Sequence, residues 1–195
     1  MTSPSPRGRP QAASREMLQD AAFELFLENG FAGTTVEQIT TRAGVSRNTF
    51  FNYFTAKGDV FWVELDDSLD TLTEALRDAP PEVPAMQALL GAIIRFGREF
   101  GPARVPFALT QYELIGSVHE LQASALTRFT RQAGVFRAFL VSRGFDRLRA
   151  NTAAYAAIGA IVAAGTAWAD AGTGRGEVEP YLREALAPVV AGFGA

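Results

Sequence analysis

Apolar residues recur at spacings of three and four along almost the whole chain, and no run of strict period-two alternation competes with them, so the pattern predicts helices and an all-α fold. Leu18, Ala21, Ala22, Leu25 and Phe26 mark a first helix, with Ser14 as its N-cap and Asn29-Gly30 as its stop. Thr35 and Gln38 form a capping box for a short second helix that ends at Ala43-Gly44, and Ser46 caps a third. Thr55 stands where it can cap a fourth, which carries Phe61, Leu65, Leu69, Leu72 and Leu76 to the Pro80-Pro81 break. Met86, Leu89, Leu90, Ile93, Ile94 and Phe100 give a fifth, and a short sixth over residues 107–115 follows Pro102 and Pro106. Val118, Leu121, Ala125, Phe129, Phe136 and Leu140 define a long seventh, which Gly144 separates from an Ala-rich eighth; a glycine loop at 172–176 leads to a ninth around 181–190. About nine helices are therefore expected.

The stretch from Thr34 to Phe54 has helix-turn-helix anatomy. Val36 and Ile39 face inward, Gly44 supplies the positive φ of a short turn, and Val45 plugs the angle between the helices. Phe50 and Phe54, four apart, anchor the second helix on the same small core, which leaves Arg47, Asn48, Thr49, Phe51, Asn52 and Tyr53 for the outward surface. A short, donor-rich, partly aromatic face suits a major groove, where Arg can bridge guanine and Asn adenine, although an ordinary helical hairpin with a polar face has the same pattern.

Charge sharpens this only locally. The totals, 18 basic against 21 acidic residues, carry no global signal for nucleic acid. Nothing from Gln38 to Gly58 is acidic, however, and that window holds Arg42, Arg47 and Lys57, a patch that fits phosphate contact or a solvated face. Lys57 is the one lysine in a chain that otherwise uses arginine, and at the start of a helix it can grip a phosphate. In the Ser- and Pro-rich arm of residues 1–14, Arg7-Gly8-Arg9-Pro10 can lie in a narrow minor groove or serve as a solubilising tail.

The absence of cysteine excludes disulfides and thiolate metal sites, and a single histidine, His119, excludes the common zinc arrangements; no metal and no cofactor are expected. No Ser-His-Asp arrangement and no phosphate-binding glycine loop stands out, and Asp66, Asp67 and Asp70 read as an exposed face without metal-ligand context, so the chain is not expected to be an enzyme. The arm lacks the apolar core of a signal peptide, which places the protein in the cytoplasm. Residues 152–169 carry no charge and reach the lower limit for a membrane span, but their alanines with Gly159 and Gly165 read as a buried packing helix. Arg128 and Arg131 read as a solvated helix face or as phosphate ligands at a pocket mouth.

Residues 15–65 resemble the N-terminal domain of the TetR family over its whole length. The resemblance is carried by Ala21-Ala22, Leu25-Phe26, Gly30-Phe31, Thr34-Thr35-Val36, Ala43-Gly44-Val45-Ser46, Thr49-Phe50-Phe51-Asn52-Tyr53-Phe54 and Lys57. It implies a three-helix DNA-binding domain at 15–57 and a helical ligand-binding and dimerisation domain at 58–195. Double-stranded operator DNA, a small hydrophobic ligand and a second copy of the chain are the implied partners, with Thr35, Arg47, Asn48, Thr49, Phe51, Tyr53 and Lys57 at the family's contact positions. Phe51 replaces the usual Tyr, so a hydroxyl contact is lost, and Thr40 replaces a small Ala.

For the larger part the resemblance implies a cavity among the fourth to eighth helices, for which Phe61, Leu65, Phe100, Phe129 and Tyr155 are the candidates. It also implies a two-fold dimer through the eighth and ninth helices, with Ala153, Ala157, Ala160 and Ala164 allowing close approach and Leu182, Leu186, Val189 and Val190 adding apolar surface. Within the family, Asp59-Val60-Phe61-Trp62 and Glu120-Leu121-Gln122-Ala123 are similar to the branch of mycofactocin-system regulators, which implies an acyl-CoA-like ligand. A drug-like inducer, or a ligand-independent architectural DNA binder, remains the alternative.

Overall fold

A computed structural model describes residues 11–194, which divide between Phe61 and Trp62 into two compact units. Arg7 and Arg9 lie outside the described residues. In the first unit α1 (Gln11–Gly33) buries Leu18, Ala21, Ala22, Leu25 and Phe26, the stripe expected from its periodicity, and its regular winding breaks at Gly30. Thr34, fully buried, donates its hydroxyl to the carbonyls of Leu25 and Gly30 at 3.1 and 2.9 Å and so closes the end of that helix. α2 (Val36–Arg42) begins with the full Thr35/Gln38 capping box, and α3 (Arg47–Phe51) is capped by Ser46.

Thr55 does not cap the next helix. The Asp59 carboxylate instead accepts the amides of Thr55 and Ala56, both at 2.9 Å, which winds Lys57–Trp62 into a tight 3₁₀ turn and delays α4 to Val63–Arg77. Phe61 at the end of that turn is fully buried in the first unit. It stacks on Phe26 at 5.3 Å and meets Phe31 edge-on at 5.8 Å.

The second unit continues with α5 (Ala85–Gly97), α6 (Phe107–Thr110), α7 (Tyr112–Ser117), α8 (His119–Ser142), α9 (Arg147–Asp170) and α10 (Glu179–Phe193). Ten α-helices stand among the described residues, one more than expected, because the sixth predicted helix breaks at Gln111. α9 runs through the middle, packed on α8 and α10, while α5 packs on α4 and α10. By length and composition α9 could cross a membrane, yet Ala150, Ala153, Ala154, Ala157 and Ala164 are buried in the core of this unit, where small side chains let the neighbouring helices approach. Gly97 serves the same end on α5, since a Cβ there would lie 2.5 Å from Leu182 Cδ1 of α10.

One side chain stitches the proline break. Pro80 and Pro81 stand in the turn that follows α4, and the Arg143 guanidinium, at the far end of α8, donates to the carbonyls of Ala79, Pro80 and Pro81 at 2.6 to 3.1 Å.

Candidate functional site

In the first unit, Gly44 at φ +66 turns the chain between α2 and α3, and Phe50 and Phe54 fix α3 on the core. Arg47, Asn48, Phe51 and Asn52 are exposed, and Thr49 and Tyr53 half-buried, so the candidate reading residues do share an outward surface. Thr35 is exposed beside them, with its hydroxyl engaged by the Gln38 amide. Phe51, 46% exposed, offers apolar surface of the kind that meets a thymine methyl.

The positive patch expected between residues 38 and 58 is not a free one, because acids from outside that window reach into it. Arg42 binds Glu28 at 2.8 Å and Glu24 at 3.0 Å, both on α1. The hydrogen bond from Arg42 holds the Glu28 carboxyl below its ordinary range, so this tie exists above the usual carboxylate pKa and is released as pH falls through the lowered value. Arg47 pairs with Glu37 of α2 at 2.5 Å and lies over the Phe51 ring. Glu37→Gln is therefore expected to raise affinity for operator DNA by about 1.5- to 5-fold, the worth of one exposed ion pair. A titration at two salt concentrations checks this, and an unchanged affinity would show that Glu37 does not hold Arg47 back.

Lys57, expected at a phosphate, has partners of its own within the unit. Its ammonium donates to the carbonyls of Phe31 and Thr34 at 2.6 and 2.8 Å and sits 4.1 Å from the Phe31 ring, so it ties the 3₁₀ turn to the end of α1. Lys57→Ala should destabilise the first unit by about 1.5 to 3 kcal/mol. Chemical denaturation tests this; unchanged stability with a salt slope of DNA binding reduced by about one would assign Lys57 to phosphate alone.

The second unit contains a cavity of about 450 Å³, within the range that holds a drug-sized ligand. Leu65, Phe100 and Phe129 line it as expected, together with Trp62, Phe96, Leu109, Phe136 and Ile161. Phe61 and Tyr155 do not. Phe61 is spent in the other unit's core, and Tyr155, 47% exposed, lies one turn before Ile158, the first residue of α9 to line the cavity. Asp66, read from sequence as solvated, lines the cavity and holds Arg128 through paired bonds of 2.8 and 3.1 Å, which removes Arg128 from the set of free phosphate ligands. Arg131 and His119 are exposed on α8.

The candidate dimer residues divide. Ala153, Ala157, Ala164, Leu182 and Leu186 are buried within the unit, where α9 meets α8 and α10, and are not available to a partner. Ala160, Val189 and Val190 are half-buried. The face of α9 turned to solvent carries Leu148, Thr152, Tyr155, Gly159 and Ala163 instead, at spacings of three and four. The Ala-rich composition hid this, since small residues occupy both faces and the pattern could not say which is inward.

A helix-turn-helix in one unit and an apolar cavity in another define the class of helical, ligand-binding transcription regulators. The chain belongs to the TetR family: residues 18–61 match bacterial regulatory proteins of the tetR family, and residues 83–194 match the MftR C-terminal domain. It is 25% identical over 164 residues to the protein of Mycobacterium tuberculosis named as mycofactocin biosynthesis transcriptional regulator MftR, covering 83% of this chain and 82% of that one. Among solved structures, FadR of Thermus thermophilus in complex with lauroyl-CoA has a TM-score of 0.62 at 22% identity over 91% of this chain and 94% of its own. SmeT, repressor of a multidrug efflux pump of Stenotrophomonas maltophilia, in complex with triclosan has a TM-score of 0.61 at 19% identity, over 92% and 91%.

Proposed function

We propose that this DNA-binding regulator is a repressor that dimerises on a pseudo-palindromic operator and is released by a small hydrophobic ligand, an acyl-CoA or a similar acyl compound. The observation that carries this reading is the cavity: about 450 Å³ bounded almost wholly by apolar side chains inside a unit that has no need of a void for stability. The lauroyl-CoA bound by the Thermus FadR supports an acyl ligand. Any CoA moiety stays outside the cavity, because the guanidinium in its wall is already bound to Asp66. A thermal-shift screen of acyl-CoAs, fatty acids and aromatic drugs tests the reading, since a ligand of the native state raises the melting temperature. Failure of every acyl compound, with a compact aromatic binding in its place, would replace the ligand class.

The reading assigns DNA contacts to Arg47, Asn48, Thr49, Phe51, Asn52 and Tyr53, with the two recognition helices of the dimer about 34 to 36 Å or a longer near-integral turn apart. Arg47→Ala then costs about 1 to 3 kcal/mol and relaxes one base position. The dimer forms through the solvent face of α9 with α10, as a four-helix bundle. A Cβ at Gly159 meets nothing within 4 Å in the subunit, so Gly159→Glu is expected to give a folded monomer by light scattering. A Gly159→Glu dimer would exclude this face.

A further inference from the structure

Resting on the ligand-sensing reading, we infer that the cavity selects a neutral hydrogen-bond acceptor in its apolar ligand, an ester or thioester carbonyl rather than a carboxylate, received by the Trp62 indole and the Gln132 carboxamide. Both side chains line the cavity, and both carry a buried N–H, Nε1 of Trp62 and Nε2 of Gln132, with no acceptor among the described residues. A buried donor left unmatched is costly, and native cores seldom keep two unless something else satisfies them. Other polar groups around the cavity are engaged: the Thr166 hydroxyl with the Val162 carbonyl at 3.0 Å, the Tyr112 hydroxyl with Asp170 at 3.4 Å, and Arg128 with Asp66.

The two donors belong to one neighbourhood. The Trp62 ring meets Phe129 edge-on at 6.3 Å and lies 5.1 Å from the Arg128 guanidinium. Gln132 follows Phe129 by three residues and Arg128 by four on α8, so it shares their face one turn further on. A carbonyl oxygen has two lone pairs and can accept from both.

Charge decides between acceptors. Arg128 is the one basic side chain among the described cavity-lining residues, and Asp66 binds it through both carboxylate oxygens, so the pair offers no net positive charge. A carboxylate placed here would be desolvated beside Asp66 with no free cation to meet it. A neutral carbonyl avoids that penalty and uses both N–H groups.

Calorimetry on the full chain with three twelve-carbon probes tests the inference. These are the dodecanoyl thioester of N-acetylcysteamine, the matching dodecyl thioether that lacks only the carbonyl, and dodecanoate. The thioester is expected to bind about 5- to 100-fold more tightly than the thioether, the worth of two hydrogen bonds, and at least about 10-fold more tightly than dodecanoate. Trp62→Phe and Gln132→Met should each weaken thioester binding by about 3- to 10-fold and leave thioether binding within about twofold. Equal binding of thioester and thioether, or dodecanoate as tight as the thioester, overturns the neutral-carbonyl inference and leaves the cavity as a ligand site. Binding of none of the three, with DNA binding intact, overturns the acyl-ligand reading and this inference with it.

Discussion

Saturating the cavity with an acyl ligand is expected to weaken operator binding by about 5- to 150-fold, the range that a coupling of about 1 to 3 kcal/mol produces. The ligand can do this only by binding one arrangement of the protein better than another. Trp62 is the residue through which such a preference is most directly felt, because it lines the cavity and follows Phe61, the last residue of the first unit's core, without an intervening linker. Linkage makes the effect reciprocal: operator DNA must weaken ligand binding by the same factor. Titrating ligand with and without operator measures both, and equal ligand affinity in the two titrations would show that the cavity does not control DNA binding.

Phe61→Ala is expected to separate the two activities. Phe61 is completely buried and touches the rings of Phe23, Phe26 and Phe31, and truncating such a phenyl group costs about 3 to 5 kcal/mol. That is a large share of what a small unit has to spend on folding. The variant should lose operator binding and amide-exchange protection in α1 to α3, while ligand binding in the second unit persists. Were Phe61 a wall of the cavity, as its helical register with Leu65 suggests from sequence, the substitution would change ligand affinity and spare DNA binding; that outcome would reject the assignment made here.

The contrast between Phe61 and Leu65 shows what the sequence could carry. Two helix starts are legible in local signals, the Thr35/Gln38 box and Ser46 before α3, with the glycine turn at Gly44 between them, whereas α1 begins at Gln11, ahead of the Ser14 expected to cap it. The outward surface of α3 was legible too, because Phe50 and Phe54 point the other way. Long-range partners were not. Glu24 and Glu28 reach Arg42 from 18 and 14 residues earlier, and Asp66 reaches Arg128 across 62, separations that no periodicity records. The start of α4 differs from the expected one because the Asp59 carboxylate reaches back to the amides of Thr55 and Ala56 and the chain first winds a 3₁₀ turn, which puts the first residue of the α-helix at Val63. The signal was present, since Asp59 lies four residues after Thr55, but a Thr before an apolar-periodic run is the commoner start.

Val60, Phe61, Trp62 and Val63 are all buried, the first pair in one unit and the second in the other. Between Phe61 and Trp62 there is one planar peptide bond, about 3.8 Å from Cα to Cα, and none of the slack that a glycine- or serine-rich linker provides. Recombination between relatives is therefore confined to a single peptide bond here. A chimera that joins the DNA-reading half of one regulator to the sensing half of another keeps each core whole only when the junction falls between Phe61 and Trp62; one residue to either side carries a buried side chain into the wrong half. Exchange of specificities in this architecture then requires the residues around that seam to travel together with the half whose core they fill.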